Sequence, residues 1–174
     1  MLTHWPSRCQ VCGRWPAHPV CGPCEARFAR AVARCPTCAL RLPNGATSCG
    51  HCLRYPLPLR RCWAVVDYAY PWHTVVAHFK FQQQPAWARC MAALALQHAD
   101  IAHALQAADG VLPVPLSTAR LAERGYNQAW ELVKALRPRH PLPAALLRLN
   151  NAADQIGQGR AARQRQMRHA FAVA

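Results

Sequence analysis

Four cysteine pairs of the form Cys-x-x-Cys lie within the first 52 residues. This spacing lets both sulfurs of a pair bind one ion from a single tight turn, and two such turns complete a tetrahedral site of four sulfurs. A site with four protein ligands and no open position is typical of structural zinc rather than catalytic zinc. Two zinc ions are therefore expected, with the ligands Cys9, Cys12, Cys21, Cys24, Cys35, Cys38, Cys49 and Cys52.

Redox chemistry and disulfide formation are the alternatives for these cysteines. Four pairs so close together, without a flanking strand-helix-strand pattern, are unlike a thioredoxin motif. The sequence begins without the charged and apolar segments of a secretory signal and has no long apolar run, so we expect a cytoplasmic protein with reduced thiols and no membrane segment. Which turns share an ion stays open: sequential pairing is simpler to close than a cross-braced alternation, but the spacing permits both.

The chain is strongly basic. Its formal charge is +14, from 21 lysine and arginine residues against 7 acidic ones, and it stays positive after eight thiolates and two zinc ions are counted. Nearly all of the cations are arginine, whose planar fork suits phosphate oxygens, although a GC-rich genome would give the same bias. The composition favours a phosphate-bearing partner over a merely solvated surface.

Composition also divides the chain. The first part is rich in cysteine and turns, and the second carries the strand and helix patterns, so we expect domains at residues 1–56 and 57–174. In the second part the expected elements, in order, are a strand over 62–70, helices over 73–82 and 86–105, a strand over 109–116 and a helix after Ser117. This order predicts an α/β domain built around parallel strands.

The helix after Ser117 is interrupted by the sequence Arg-Gly-Tyr-Asn-Gln, residues 124–128. Gly125 breaks the apolar pattern, and Asn127 can cap a second helix in which that pattern resumes. The first of these helices starts at the carboxyl end of a predicted strand, which is where open α/β sheets place ligands.

Arg120 and Arg124 are four residues apart and share a face of that first helix. They could contact an anionic ligand, or they could be solvated while Tyr126 packs on the core. Aromatic side chains such as Tyr126 and Trp72 could stack bases if they are exposed.

The segment PVPLSTARLAERGYNQA, between four cysteine pairs and the later segment QIGQGRAARQRQMRHAF, resembles the ComF family of competence proteins, which includes the GntX proteins. The segments VDYAY and HFKF match further parts of the family pattern, so the resemblance covers nearly the whole chain. It implies a double zinc ribbon followed by a type I phosphoribosyltransferase-like domain with a parallel sheet. Members have been tied to DNA uptake during natural transformation, and the resemblance implies single-stranded DNA as a partner.

The resemblance also implies a phosphate site. In this fold the loop after a strand, here Val114 to Ser117, holds the pyrophosphate of phosphoribosyl pyrophosphate, with Mg²⁺ when the reaction is catalysed. The residues that would bind the substrate or its phosphates are Lys80, Ser117, Arg120, Arg124, Asn127 and Gln128.

The family's acidic pair and Thr/Gly-rich loop, which hold the ribose and its 5′-phosphate, normally follow the segment HAFAVA. No Asp-Asp pair occurs in these 174 residues. We therefore expect a phosphoribosyltransferase-like domain that is truncated at its C-terminus and inactive as a transferase in this form. The alternatives are an active phosphoribosyltransferase of nucleotide metabolism and a zinc-ribbon adaptor that docks another competence protein.

The last part of the chain, residues 159–171, is basic and has a helical pattern in which Met167 and Phe171 pair four residues apart. Clustered arginines suit the phosphates of nucleic acid, although a solvated helix would carry the same residues. The predicted nucleic-acid contacts are Arg160, Arg163, Arg165 and Arg168.

Overall fold

The computed structural model describes residues 7–149, 167 and 170–174. Across these residues the chain is mainly helical, with one small sheet. The helices are α1 (Gly22–Phe28), α2 (Gly50–Arg54), α3 (Trp72–Phe81), α4 (Trp87–Leu96), α5 (Ala99–Ala107), α6 (Thr118–Arg124) and α7 (Gln128–Leu136), and the strands are β1 (Leu146–Arg148) and β2 (Phe171–Val173). None of the described helices is long and apolar enough to cross a membrane.

The chain divides into two compact units, an N-terminal unit, Met1–Val75, and a C-terminal unit, Val76–Ala174. The division falls within α3, so the segment between the last cysteine pair and α3 belongs to the N-terminal unit.

Two copies of one motif build the N-terminal unit. In each copy a cysteine turn is followed by a second pair at the start of a short helix, where Cys21 and Cys49 are the N-caps of α1 and α2. The turns close alike: the N–H groups of Gly13 and Ala39 donate to the carbonyl oxygens of the first cysteine at 2.9 and 2.8 Å. Both donors have positive φ, 75° and 61°. The N-terminal unit therefore consists of two copies of an internal repeat.

Cysteines make up most of the core of the N-terminal unit. Cys9 and Cys35 are 1% and 0% exposed, and Cys21, Cys24, Cys49 and Cys52 are also buried. In the second copy of the motif, Leu42 packs in one cluster with Cys35, Cys49 and Cys52. A core of this kind contains little aliphatic surface, so metal ions bound by the sulfurs would contribute much of its stability.

The strand predicted over residues 62–70 is wrong, because this segment is irregular. An aromatic and β-branched composition favours a strand where a neighbouring strand pairs with it. Here the N–H of Cys62 donates to the carbonyl of Pro36 at 2.8 Å, and Asp67 forms ion pairs with Arg34 at 2.8 Å and Arg41 at 3.6 Å.

The strand predicted over residues 109–116 is also wrong as a regular, buried element. The segment is extended, but it pairs only through an isolated parallel bridge between Val111 and Pro141. Pro113 and Pro115 have no N–H to donate, and this stops a ladder from continuing. The described residues therefore do not contain the predicted parallel sheet; their one sheet is antiparallel and pairs Leu146 with Val173.

The predicted helices agree with the structure more closely than the predicted strands do. Helix α3 confirms the prediction over 73–82 within one residue at each end. The helix predicted over 86–105 is two helices, α4 and α5, because His98 is extended with ψ 109°. No Gly or Pro marks this break, so the sequence pattern could not reveal it. At the C-terminus Phe171 begins β2, so the expected helical pairing with Met167 is wrong.

The helix interruption after Ser117 is confirmed in detail. The Ser117 side chain accepts a hydrogen bond from the N–H of Arg120 and caps α6, which ends at Gly125 in the left-handed conformation with φ 79°. Asn127 then caps α7: its side chain accepts from the N–H groups of Ala129 and Trp130. The same side chain donates to the Val114 carbonyl at 3.1 Å. Asn127 therefore ties the preceding loop to the start of α7.

We expect Asn127→Ala to lower the free energy of unfolding by about 1–2 kcal/mol, because two N–H groups lose their acceptor. Urea denaturation followed by circular dichroism measures this. Asn127→Asp is the matched variant: it keeps the acceptor for the helix N–H groups but puts a carboxylate oxygen in place of the donor to Val114, so it should recover only part of the loss. An unchanged midpoint for Asn127→Ala would show that the cap contributes nothing.

Candidate zinc sites and a cationic cavity

The eight predicted cysteines form two groups of four, each gathered from neighbouring parts of the sequence. In each group the sulfur atoms all lie within 4.8 Å of one another. The structure thus has the sequential pairing of the turns, not the cross-braced one. The first group is Cys9, Cys12, Cys21 and Cys24, and the second is Cys35, Cys38, Cys49 and Cys52.

The spacing of the sulfurs fits zinc. Four thiolates at about 2.3 Å from a tetrahedral zinc ion lie about 3.8 Å apart. The Sγ–Sγ distances are 3.6 Å for Cys12 and Cys21, and 3.9 Å for Cys9 and Cys24. In the second group the Sγ atoms of Cys38 and its neighbour Cys49 are also 3.6 Å apart. Both groups could therefore hold a zinc ion through four sulfurs.

The thiols of each group differ in how easily they ionise. Burial raises the pKa of Cys9, but surrounding backbone N–H groups outweigh it and lower the pKa to about 6. Backbone donors, led by the N–H of Cys49, lower the pKa of Cys35 to about 6. Burial, followed by contacts with neighbouring cysteines, raises the pKa of Cys24 and Cys52 to about 12. One thiolate forms easily in each group, and a complete set of four needs a cation.

A cavity of about 660 Å³ lies within the C-terminal unit, between α3, α6, α7 and the β1–β2 pair. It is lined by all six residues predicted to bind a substrate or its phosphates, which are Lys80, Ser117, Arg120, Arg124, Asn127 and Gln128. The loop residues Val114, Pro115 and Leu116 complete that side of the wall. The structure therefore brings together residues that lie up to 48 positions apart in the sequence.

The cavity is cationic. Lys80, Arg120, Arg124 and Arg148 line it, and no acidic side chain does so among the residues that the structure describes. Burial, and next the charge of Arg120, lower the pKa of Arg124. Two guanidinium groups that disfavour each other's charge gain most from an anion placed beside them.

Several wall residues were missed by the sequence interpretation. Phe81 is 67% exposed, and the Cζ atom of Arg124 lies over its ring at 5.4 Å from the centroid. The Cζ atom of Arg148 lies over the Phe171 ring at 5.7 Å from the centroid. The pairing of Arg148 opposite Phe171 depends on β1 and β2, which are three residues long and give no clear sequence signal.

Two further expectations concern nucleic acid. The residues predicted to contact it at the C-terminus, Arg160, Arg163, Arg165 and Arg168, lie outside the described residues. Trp72, named as a stacking residue, is only 3% exposed and donates from Nε1 to the Phe28 carbonyl at 2.7 Å, so it cannot stack a base. Tyr126 is partly buried and donates its hydroxyl to the Phe79 carbonyl.

Comparison with curated proteins decides the family. The DNA utilization protein YhgH of Salmonella typhimurium is 32% identical over 160 residues, which cover 87% of this chain and 70% of that protein. Competence protein F of Haemophilus influenzae is 28% identical over 161 residues, covering 89% of this chain and 70% of that protein. The chain belongs to the ComF family. This confirms the resemblance carried by the cysteine pairs and the Arg-Gly-Tyr-Asn-Gln segment.

The match to other relatives is shorter. The YhgH protein of Escherichia coli K12 is 31% identical over 133 residues, which are 71% of this chain and 57% of that protein. This ComF-family chain thus spans between 57% and 70% of the length of these three relatives. No family model and no solved structure matches it.

We expect purified protein to contain two zinc ions per chain, one for each group of four cysteines. Cys21→Ser removes a ligand that is 5% exposed and should reduce the content to about one ion per chain. Cys62→Ser is the matched control, because Cys62 belongs to neither group, and it should keep both ions. Elemental analysis checks all three proteins, and a wild-type content well below two would count against two four-sulfur sites.

Proposed function

We propose that this ComF-family chain is a zinc-stabilised protein that acts in DNA uptake or utilisation and binds single-stranded nucleic acid through the cavity of its C-terminal unit. The observation that carries the proposal is the cavity of about 660 Å³ with four cationic side chains and no acidic one among its described lining residues. Nucleic-acid backbones are the polyanions that such a site suits.

The names of the relatives support the same role. Proteins that match most of this chain are called DNA utilization protein and Competence protein F. Both names refer to the handling of DNA. A strongly basic chain, with formal charge +14, is consistent with a partner that carries many phosphates.

The geometry favours phosphate contacts over base readout in the cavity. Arg120 and Arg124 lie one turn apart on α6, and Lys80 lies in the last turn of α3. Forked guanidinium groups and a lysine ammonium bind phosphate oxygens without reading a sequence. We therefore expect binding that depends on salt and tolerates any base sequence.

A phosphoribosyl compound is a second candidate ligand for the same cavity. The extended segment from Val111, with its parallel bridge to Pro141, leads directly into the loop that lines the cavity. This placement is consistent with a ligand site at the carboxyl end of a parallel strand, as in a phosphoribosyltransferase-like domain. Such a ligand would offer its pyrophosphate to the same cations.

Binding of a fluorescent thymidine oligonucleotide, measured by anisotropy, tests the proposal. Arg120→Ala and Arg124→Ala should each weaken binding and reduce the slope of log affinity against log salt by about 1, since each removes roughly one phosphate contact. Arg89→Ala is the matched control, because Arg89 is an exposed arginine of the same unit that does not line this cavity.

Unlabelled phosphoribosyl pyrophosphate added to the same assay distinguishes the two ligand classes. Displacement of the oligonucleotide would place both ligands in the cavity. Equal affinities for wild-type protein and both arginine variants would contradict the proposed site, and no binding at low salt would contradict the proposed function.

A further inference from the structure

We propose that a row of aromatic rings on the N-terminal unit is a base-stacking surface for single-stranded nucleic acid. The row, called here the aromatic ladder, consists of Phe28, Tyr70, His73 and Tyr68. It shares the proposed ligand class with the cavity, but it lies in the other unit and does not depend on the cavity's cations.

The rings follow one another at regular contact distances. Phe28 and Tyr70 are 5.5 Å apart between ring centroids and meet edge to face at 88°. Tyr70 and His73 are 6.4 Å apart, and His73 and Tyr68 are also 6.4 Å apart. The ladder therefore forms a connected aromatic surface rather than a set of scattered rings.

Both tyrosine rings of the ladder are largely exposed. Tyr68 is 77% exposed and Tyr70 is 58% exposed, whereas Trp72, close to them in sequence, is 3% exposed. Large exposed aromatic side chains in a connected patch are unusual on a surface that binds nothing. Bases have flat apolar faces that stack on such rings in a sequence-tolerant way.

The ladder is held in place from beneath. Trp72 Nε1 donates to the Phe28 carbonyl at 2.7 Å and fixes α1 against the start of α3. The Tyr70 hydroxyl lies 3.4 Å from the Val11 carbonyl oxygen, a long hydrogen bond that favours the observed orientation of its ring. Rings that are already ordered lose little conformational entropy when a ligand stacks on them.

The charge of the N-terminal unit favours a polyanion. The Arg27 guanidinium lies 5.1 Å from the centre of the Phe28 ring. The acidic residue beside Tyr68, Asp67, forms ion pairs with Arg34 and Arg41. The described residues of the unit carry only Glu25 and Asp67 as acids against the arginines at positions 8, 14, 27, 30, 34, 41, 54, 60 and 61.

Aromatic faces combined with this arginine excess match a nucleic acid better than an apolar protein surface. A single strand is required, because the bases of a duplex are already stacked on one another and present no free faces. The ladder would contact bases, and Arg27 beside Phe28 would contact the backbone.

The test uses the full chain, loaded with zinc, and a thymidine oligonucleotide of about 15 nucleotides. Tyr68→Ala should weaken binding roughly fivefold or more, because one stacked base is lost. Tyr68→Phe keeps the ring and should bind within about twofold of wild type. Trp15→Ala is the matched control: Trp15 is 62% exposed in the same unit but is not part of the ladder, and its loss should leave the affinity unchanged.

An abasic oligonucleotide of the same length provides an independent measurement. It keeps every phosphate, so it should bind wild-type protein more weakly than the thymidine strand and should not distinguish wild type from Tyr68→Ala. The salt slope separates the two proposals. Tyr68→Ala should lower affinity at an unchanged slope, whereas loss of a cavity arginine lowers the slope.

Equal affinities of wild type and Tyr68→Ala for the thymidine strand would contradict base stacking on the ladder. A ladder that binds a protein instead of nucleic acid would give this result. Equal affinities of the wild type for thymidine and abasic strands would overturn it as well. If Tyr68→Ala weakens oligonucleotide binding while Arg120→Ala and Arg124→Ala do not, the result supports the ladder and contradicts the cavity as the binding site.

Discussion

Sulfur atoms that lie 3.6 Å apart can all be negatively charged only if a cation lies among them. This constraint governs the N-terminal unit, because six of the eight cysteines are buried and make up most of its core. Each copy of the repeat contributes one turn and one short helix, and neither has enough aliphatic surface to form a core alone. Zinc bound in both groups would therefore couple folding to metal binding in this unit. The irregular segment before α3 would share that coupling, because it bonds to Pro36, Arg34 and Arg41 of the second copy.

The C-terminal unit follows a different principle. Its helices bury apolar side chains such as Phe79, Trp87, Leu94 and Val133, and the cavity forms where this core gives way to polar residues. Ser117 and Gln128 are 7% and 8% exposed and line the cavity. A buried polar wall beside several cations gives an anion hydrogen-bonding partners as well as charge.

Local signals in the sequence were sufficient for part of this picture. Ser117, Gly125 and Asn127 were recognised as helix punctuation because caps and left-handed turns depend on single residues. The cysteine sites were predictable because two-residue spacing fixes the geometry of a metal knuckle. Six cavity residues were named from the family resemblance, and the structure brings them to one place.

The remainder depended on long-range contacts that a sequence pattern does not contain. Residues 62–70 have strand composition but no strand partner, and the prolines at 113 and 115 interrupt the other predicted strand. The turn at Ala39 repeats the turn at Gly13 with φ 61° and without a glycine, so composition concealed the repeat. Arg148 and Phe171 reach the cavity only because β1 pairs with β2.

The cavity wall joins the end of α3, the loop and helix start near Ser117, and strand β2 at the far end of the chain. Segments so distant in sequence meet only after the whole C-terminal unit has folded, so a ligand seated there has no counterpart site in the unfolded chain. A free ligand concentration of a hundred times the dissociation constant would add about 2.7 kcal/mol to the free energy of unfolding. The ligand of this cavity would accordingly act as a structural component of the unit, as zinc would for the cysteine repeat.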